Sequence, residues 1–178
     1  MILRQSKHGR GPAGQGFTLV EILIVVMILA ILAAIVLPKF SNASAIARAS
    51  MLADDLRIIR MQVQVYRSQH NEVPPGYPDG DRSAAPTEEA FAAQMTRASD
   101  RTSKTAQPGT PGYDYGPYLR EVPTNPLNGK RSVQIIADGA ALPVAGDDTH
   151  GWVFQPATQL YKSDSPGTDD KAKLYFEY

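Results

Sequence analysis

A single carboxylate, Glu21, interrupts the apolar run Phe17–Leu37, which is 21 residues long and holds no other charge. As a helix rising about 1.5 Å per residue, the run spans roughly 32 Å, close to the ~30 Å hydrocarbon core of a bilayer. An ionised acid at the centre of such a helix costs about 2.5–3.5 kcal/mol, and less near an end, so an intramembrane carboxylate marks a function and calls for a partner charge. Ion pairing is therefore the first chemistry the sequence offers. Little else points to catalysis. There is no phosphate-binding glycine loop, no G-x-S-x-G elbow and no zinc-ligand spacing. The histidines fall at His8, His70 and His150, in three separate contexts, and Asp147-Asp148-Thr149-His150 reads as a solvated polar loop.

Three basic residues, Arg4, Lys7 and Arg10, precede the apolar run, and no acid does. This polarity predicts that residues 1–16 stay cytoplasmic while the chain beyond Leu37 crosses the membrane. A cleaved secretory signal is one alternative, since Ala43-Ser44-Ala45 supplies a small-x-small pattern. Against it stand the length of the uncharged stretch Ile22–Leu37, Glu21 at its mouth, and a helical period that continues past the supposed cut. A plain signal anchor, with Glu21 reaching the interface, is the other alternative.

Gly16-Phe17-Thr18-Leu19-Val20-Glu21, between a basic leader and a hydrophobic helix, resembles the amino-terminal signal of type IV pilins and type II secretion pseudopilins. The resemblance implies that a prepilin peptidase cuts after Gly16 and that the new amino terminus on Phe17 is methylated. It also implies that Glu21 pairs with the amino terminus of a neighbouring subunit, and that Pro38 is the family's helix kink. The physics fits. Cleavage creates an ammonium group four residues before Glu21, on the same helical face, and pairing would neutralise two charges otherwise stranded in an apolar setting. Proline removes one backbone donor and crowds the preceding turn. Gly116-Pro117-Tyr118-Leu119, Pro123 and Asn125-Pro126 look like the loop between helix and sheet in the major pseudopilins. Those proteins commonly hold calcium in carboxyl-terminal loops; here Asp147, Asp148, Asp164, Asp169 and Asp170 would be the oxygen donors if their loops converge.

Charge and composition suit such a subunit. The chain carries 18 basic and 18 acidic side chains; without the leader's three basic residues, 15 remain against 18, a formal charge of minus three. A mildly acidic product is a poor nucleic-acid binder. With no cysteine, residues 71–178 must hold together by packing, with or without a metal.

A second helical pattern follows the first without a loop. Leu52, Leu56, Ile59, Val63 and Tyr66 recur at three- and four-residue spacing, with Asp54, Asp55, Arg57, Arg60 and Arg67 largely on other faces. The helix is expected to reach about His70 and to end at Val73-Pro74-Pro75-Gly76. Thr87-Glu88-Glu89 predicts a capped short helix with Phe91 and Met95 inward. Residues 99–111 read as a mobile polar loop and Tyr113–Gly129 as a loop ordered by its tyrosines. Antiparallel strands are expected over Ser132–Ala137, Ala140–Val144, Trp152–Gln155, Leu160–Ser163 and Leu174–Tyr178, with turns at Asp138-Gly139 and Pro156–Gln159.

The expected architecture is α+β, a long amino-terminal helix on a small antiparallel sheet. It divides into a leader (1–16), a membrane or filament-core half-helix (17–37), an amphipathic half-helix (38–70) and an exported globular domain (71–178). The resemblance implies a non-catalytic subunit of a type II secretion pseudopilus in the bacterial inner membrane, with its carboxyl-terminal domain outside the cytoplasm. Its partners would be prepilin peptidase, further copies in a helical filament, other pseudopilins, an inner-membrane assembly platform and the membrane. A subunit of a type IV surface pilus or minor pilin is the alternative, disfavoured by the lack of a cysteine pair. A membrane-anchored binding module that presents its Tyr-rich loop without polymerising is the third reading.

Overall fold

The computed structural model describes residues 17–178, in two units divided after Asn42. One helix, α1 (Leu19–Gln69), is assigned without a break across that division and through Pro38. In the first unit, Leu19–Leu37 forms a 19-residue stretch of mean hydropathy 3.2 with none of it buried. Length and composition suffice to cross a membrane.

In the second unit, α1 is amphipathic. Leu52, Leu56, Ile59, Val63 and Tyr66 are all buried, on the face their spacing predicts. They join Phe91, Met95, Trp152, Phe154 and Tyr161 in the main core. At roughly 1.5–3 kcal/mol per large apolar side chain before entropy is subtracted, this stripe dominates the docking of the helix.

The helix stops where expected but not by the expected means. Asn71 and Glu72 adopt left-handed backbone, at φ 53° and 63°, and Glu72 N–H turns back to the Arg67 carbonyl at 3.1 Å. This return bond satisfies an orphan carbonyl of the last turn. The prolines at 74 and 75 therefore follow a helix already ended.

Helix α2 (Glu88–Thr96) begins as its sequence predicts, with Thr87 Oγ1 accepting from Ala90 N–H at 3.1 Å. Phe91, Gln94 and Met95 point inward. Residues 99–111 are more structured than their polar composition suggests. Ala98–Ser99 (β1) pairs antiparallel with Thr105–Ala106 (β2), and Asp100 Oδ1 closes the turn between them by accepting from Thr102 and Lys104 N–H. The polar residues of this segment serve turn hydrogen bonds, and Ser99 and Ser103 are buried.

A second sheet comprises β3 (Val133–Ile135), β4 (Trp152–Gln155) and β5 (Leu160–Ser163), in that order. Strands β4 and β5 form the predicted hairpin, closed by Pro156–Gln159 and running Trp152 opposite Ser163 to Gln155 opposite Leu160. Strand β3, however, lies parallel to β4, so the sheet is mixed within an α+β fold. Asp138-Gly139 does make a turn, with Ala140 N–H bonded to the Ala137 carbonyl at 3.1 Å, yet residues 140–144 form no returning strand. Gln155 Nε2 takes the Ala140 carbonyl instead, at 2.9 Å. The chain then travels through residues 136–151 to re-enter parallel, a connection of the length a parallel pair requires.

The carboxyl-terminal segment also departs from expectation. Leu174 makes a single bridge to Thr168, and Tyr175–Glu177 forms a 3-10 turn. Phe176 is buried beside Ile136 and Val153. Alternation of Leu174, Phe176 and Tyr178 imitates a strand because one tight turn also separates inward from outward side chains. Arg60 on α1 fixes this end, donating to the Tyr161 carbonyl at 2.7 and 3.0 Å and to Tyr178 O at 2.5 Å.

Candidate assembly segment and carboxyl-terminal loops

The first candidate site lies at the start of α1. Thr18, the residue before the helix, accepts a 3.2 Å hydrogen bond from Glu21 N–H through Oγ1, as an N-cap threonine does. The Ile22 N–H bonds the Thr18 carbonyl at 3.3 Å. Thr18 thus fixes the helix origin three residues before Glu21. Phe17 and Glu21 are both exposed, and among the described residues no side chain pairs with the Glu21 carboxylate. Gly16 and the leader lie outside the described residues. The carboxylate is therefore presented at the amino-terminal end of a wholly exposed apolar helix. Acids there are favoured by the helix dipole.

The five aspartates do not gather into one set. Asp164 is 1% exposed. Its Oδ1 accepts from Asp147 N–H at 3.0 Å, and its Oδ2 accepts from His150 N–H at 2.7 Å, with Thr149 Oγ1 3.3 Å away. Asp147 accepts from Thr149 N–H and Oγ1, and these bonds hold its carboxyl below the usual range. Because the Thr149 hydroxyl donates to Asp147, this trio fastens a loop rather than priming a nucleophile. Asp169 organises a different turn. It accepts from Lys171 and Lys173 N–H and from the Tyr178 hydroxyl, and the Tyr178 bond leads the causes that hold its carboxyl low. Among the described residues, no three acidic or histidine side chains converge as metal ligands.

The tyrosine loop is anchored by residues whose sequence setting gave no sign of a role. His70 is buried and stacks on Tyr66 with ring centroids 3.8 Å apart, while Tyr115 and Tyr118 approach edge-on. Its Nδ1 lies 2.7 Å from the Tyr66 carbonyl, which only a protonated Nδ1 can satisfy, so Nε2 accepts from the Ser99 hydroxyl at 2.9 Å. The neutral ring uses both nitrogens, and burial pushes its pKa down. Asn125 is a second hub. It is buried, and its Nδ2 reaches the Gly151 carbonyl and the Ser163 and Ser165 hydroxyls, while Oδ1 accepts from Leu127 N–H. A helix-end histidine and an asparagine before proline look like ordinary punctuation in one dimension. The Thr18 cap went unread as well, although Thr18-x-x-Glu21 has the spacing of a capping box.

Residues 13–37 match the family described as the prokaryotic N-terminal methylation motif. Over 123 residues the chain is 27% identical to the type II secretion system core protein G of Pectobacterium carotovorum subsp. carotovorum, covering 68% of each chain. Over 152 residues it is 24% identical to the protein of the same name from Klebsiella pneumoniae, covering 79% of this chain and 95% of that one. These matches together support a place in the pseudopilin family. No solved structure matches it. The likeness to both relatives extends well beyond the amino-terminal motif, so the chain shares more with them than a targeting segment.

Proposed function

We propose that this chain is a pseudopilin, a structural, non-catalytic subunit of a type II secretion filament. The observation that carries this reading is the start of α1: a capped helix origin, an exposed carboxylate four residues after Phe17, and an apolar stretch Leu19–Leu37 none of which is buried. Prepilin peptidase removes residues 1–16, Phe17 is methylated, and the new ammonium of one subunit meets Glu21 of the next. Before assembly, Leu19–Leu37 anchors the subunit once in the inner membrane, with the carboxyl-terminal domain outside the cytoplasm. Within the filament the same segment is buried among its copies, with Pro38 as the kink. Head-to-tail contacts that do not close produce an open helical polymer. Other pseudopilins and the inner-membrane platform are the further partners.

Intact mass and amino-terminal sequencing of the membrane form test the processing: the expected product begins at methylated Phe17. A product beginning at Ile46 would establish ordinary signal cleavage and sink the reading. Glu21→Ala is expected to be processed normally yet fail to enter filaments. Unchanged filament yield from that variant would refute the pairing role.

A further inference from the structure

The carboxyl-terminal loop that the family resemblance assigns to a cation is built around an anion. Three backbone N–H groups from one loop converge on Asp164: Asp147 and His150 donate to its carboxylate, and Asp148 donates to its backbone carbonyl at 3.0 Å. Asp148 is in left-handed backbone, φ 65°, the local geometry that turns successive N–H groups into a concave anion-binding nest. Gly146 sits tightly beside the same residue, because a Cβ there would lie 2.6 Å from the Asp164 carbonyl carbon and the Ser165 nitrogen. The positive ends of the Asp147 and His150 peptide dipoles point at the carboxylate. A calcium ion needs several oxygens converging on it, whereas Asp164 is buried, 1% exposed, with each carboxylate oxygen turned to a backbone N–H.

We propose that Asp164 is a metal-independent latch, its buried carboxylate fastening loop 147–150 onto the end of β5 in place of a bound cation. The latch has a second side. Asp164 N–H donates to the Gly151 carbonyl at 3.1 Å, the same carbonyl that Asn125 Nδ2 reaches at 2.7 Å. One residue thus ties the entry of β4, the exit of β5 and the intervening loop. Asp169 cannot complete a cation site with it, since its oxygens accept from Lys171, Lys173 and Tyr178 of its own turn.

The test is thermal unfolding of the full chain in detergent, followed by Trp152 fluorescence, in excess chelator and then in millimolar calcium. The expected midpoint is the same in both, and Asp164→Asn lowers it equally in both. A saturable rise of roughly 5 °C or more with calcium, the scale expected for a site occupied far above its Kd, would overturn the proposal. So would an Asp164→Asn midpoint equal to that of the unaltered chain. If Asp164→Asn does not fold, Thr149→Val removes the hydroxyl that bonds Asp147 and lies 3.3 Å from Asp164 Oδ2, loosening loop 147–150 on Asp164 while leaving every carboxylate in place. The latch then requires a lower midpoint that calcium does not restore; an unchanged midpoint, or calcium rescue, counts against it.

Discussion

Two stretches of the same helix do opposite things with apolar side chains. From Leu19 to Leu37 every residue is exposed; from Leu52 to Tyr66 the five stripe residues are at most 1% exposed. The first stretch is hydrophobic all round and needs an environment from outside the chain, whether lipid or other helices. The second is hydrophobic along one stripe and finds its environment in its own domain. Periodicity rather than total hydrophobicity separates a segment that must be solvated by others from one that folds its own protein.

Substitutions across that divide should separate the two roles most sharply. Leu56→Ala opens a cavity in the main core and is expected to destabilise the second unit by about 2–5 kcal/mol. Leu29→Ala, at 58% exposure, should leave that unit's stability within about 0.5 kcal/mol of the unaltered chain. Urea unfolding in detergent, read by Trp152 fluorescence, compares them. Equal losses would show that the anchor contributes to the globular core and would remove the contrast.

Polar hubs carry the next effect. Asn125→Ala removes one of two donors to the Gly151 carbonyl and the contacts to two serine hydroxyls, and leaves Leu127 N–H without its acceptor, so about 2 kcal/mol should be lost, within the range for buried groups left without partners. The same change at exposed Leu29's end of the helix has no counterpart, because the first unit holds no such buried network among its described residues. An Asn125→Ala loss below about 0.5 kcal/mol in the same urea series would mean that packing alone sets the loop.

Legibility followed the same division. The anchor, the amphipathic stripe, the Thr87 cap and the Trp152–Ser163 hairpin were readable because each depends on neighbours close in sequence. The parallel entry of β3, the 3-10 turn at Tyr175 and the left-handed stop at Asn71-Glu72 were not. The parallel pairing at β3 depends on the path of residues 136–151, which is held by contacts far apart in sequence such as Gln155 Nε2 to the Ala140 carbonyl. At the candidate site, one hexapeptide carries the motif that the family model over residues 13–37 also matches. The separation of Asp164 from Asp169 was not legible, since it depends on which N–H groups the folded loops aim at each carboxylate.

Acid should expose the buried histidine. Because burial depresses the folded-state pKa of His70, the unfolded chain takes up the proton first. Stability is then constant above the unfolded value of about 6.5, falls as pH drops below it, and levels once the folded-state pKa is passed. The groups facing the ring are Tyr66 from α1, Ser99 and Asp100 at β1, and Tyr115 and Tyr118 from the tyrosine loop. Asp100 opposes the shift by its charge. In His70→Gln the part of the pH slope just below 6.5 should vanish; a slope unchanged by the substitution would assign it to other groups. No such histidine lies in the described part of the first unit.

The smallest contrast sets one threonine cap against another. Thr87 and Thr18 each accept a hydrogen bond from the N–H three residues on, at 3.1 and 3.2 Å, so their chemistry is the same and only their setting differs. Thr87→Ala should lower second-unit stability by about 1 kcal/mol, the usual effect of losing an N-cap, because α2 is short and its first turn carries Glu88 to the Val133 N–H at 2.7 Å. Thr18→Ala should leave that unit's thermal midpoint unchanged and act on helix start and Glu21 alone, read as slower incorporation into filaments with intact Trp152 unfolding. If Thr18→Ala lowered the midpoint as Thr87→Ala does, the two stretches of α1 would be one cooperative unit, and the distinction between a helix that waits for partners and one that supplies its own core would fail.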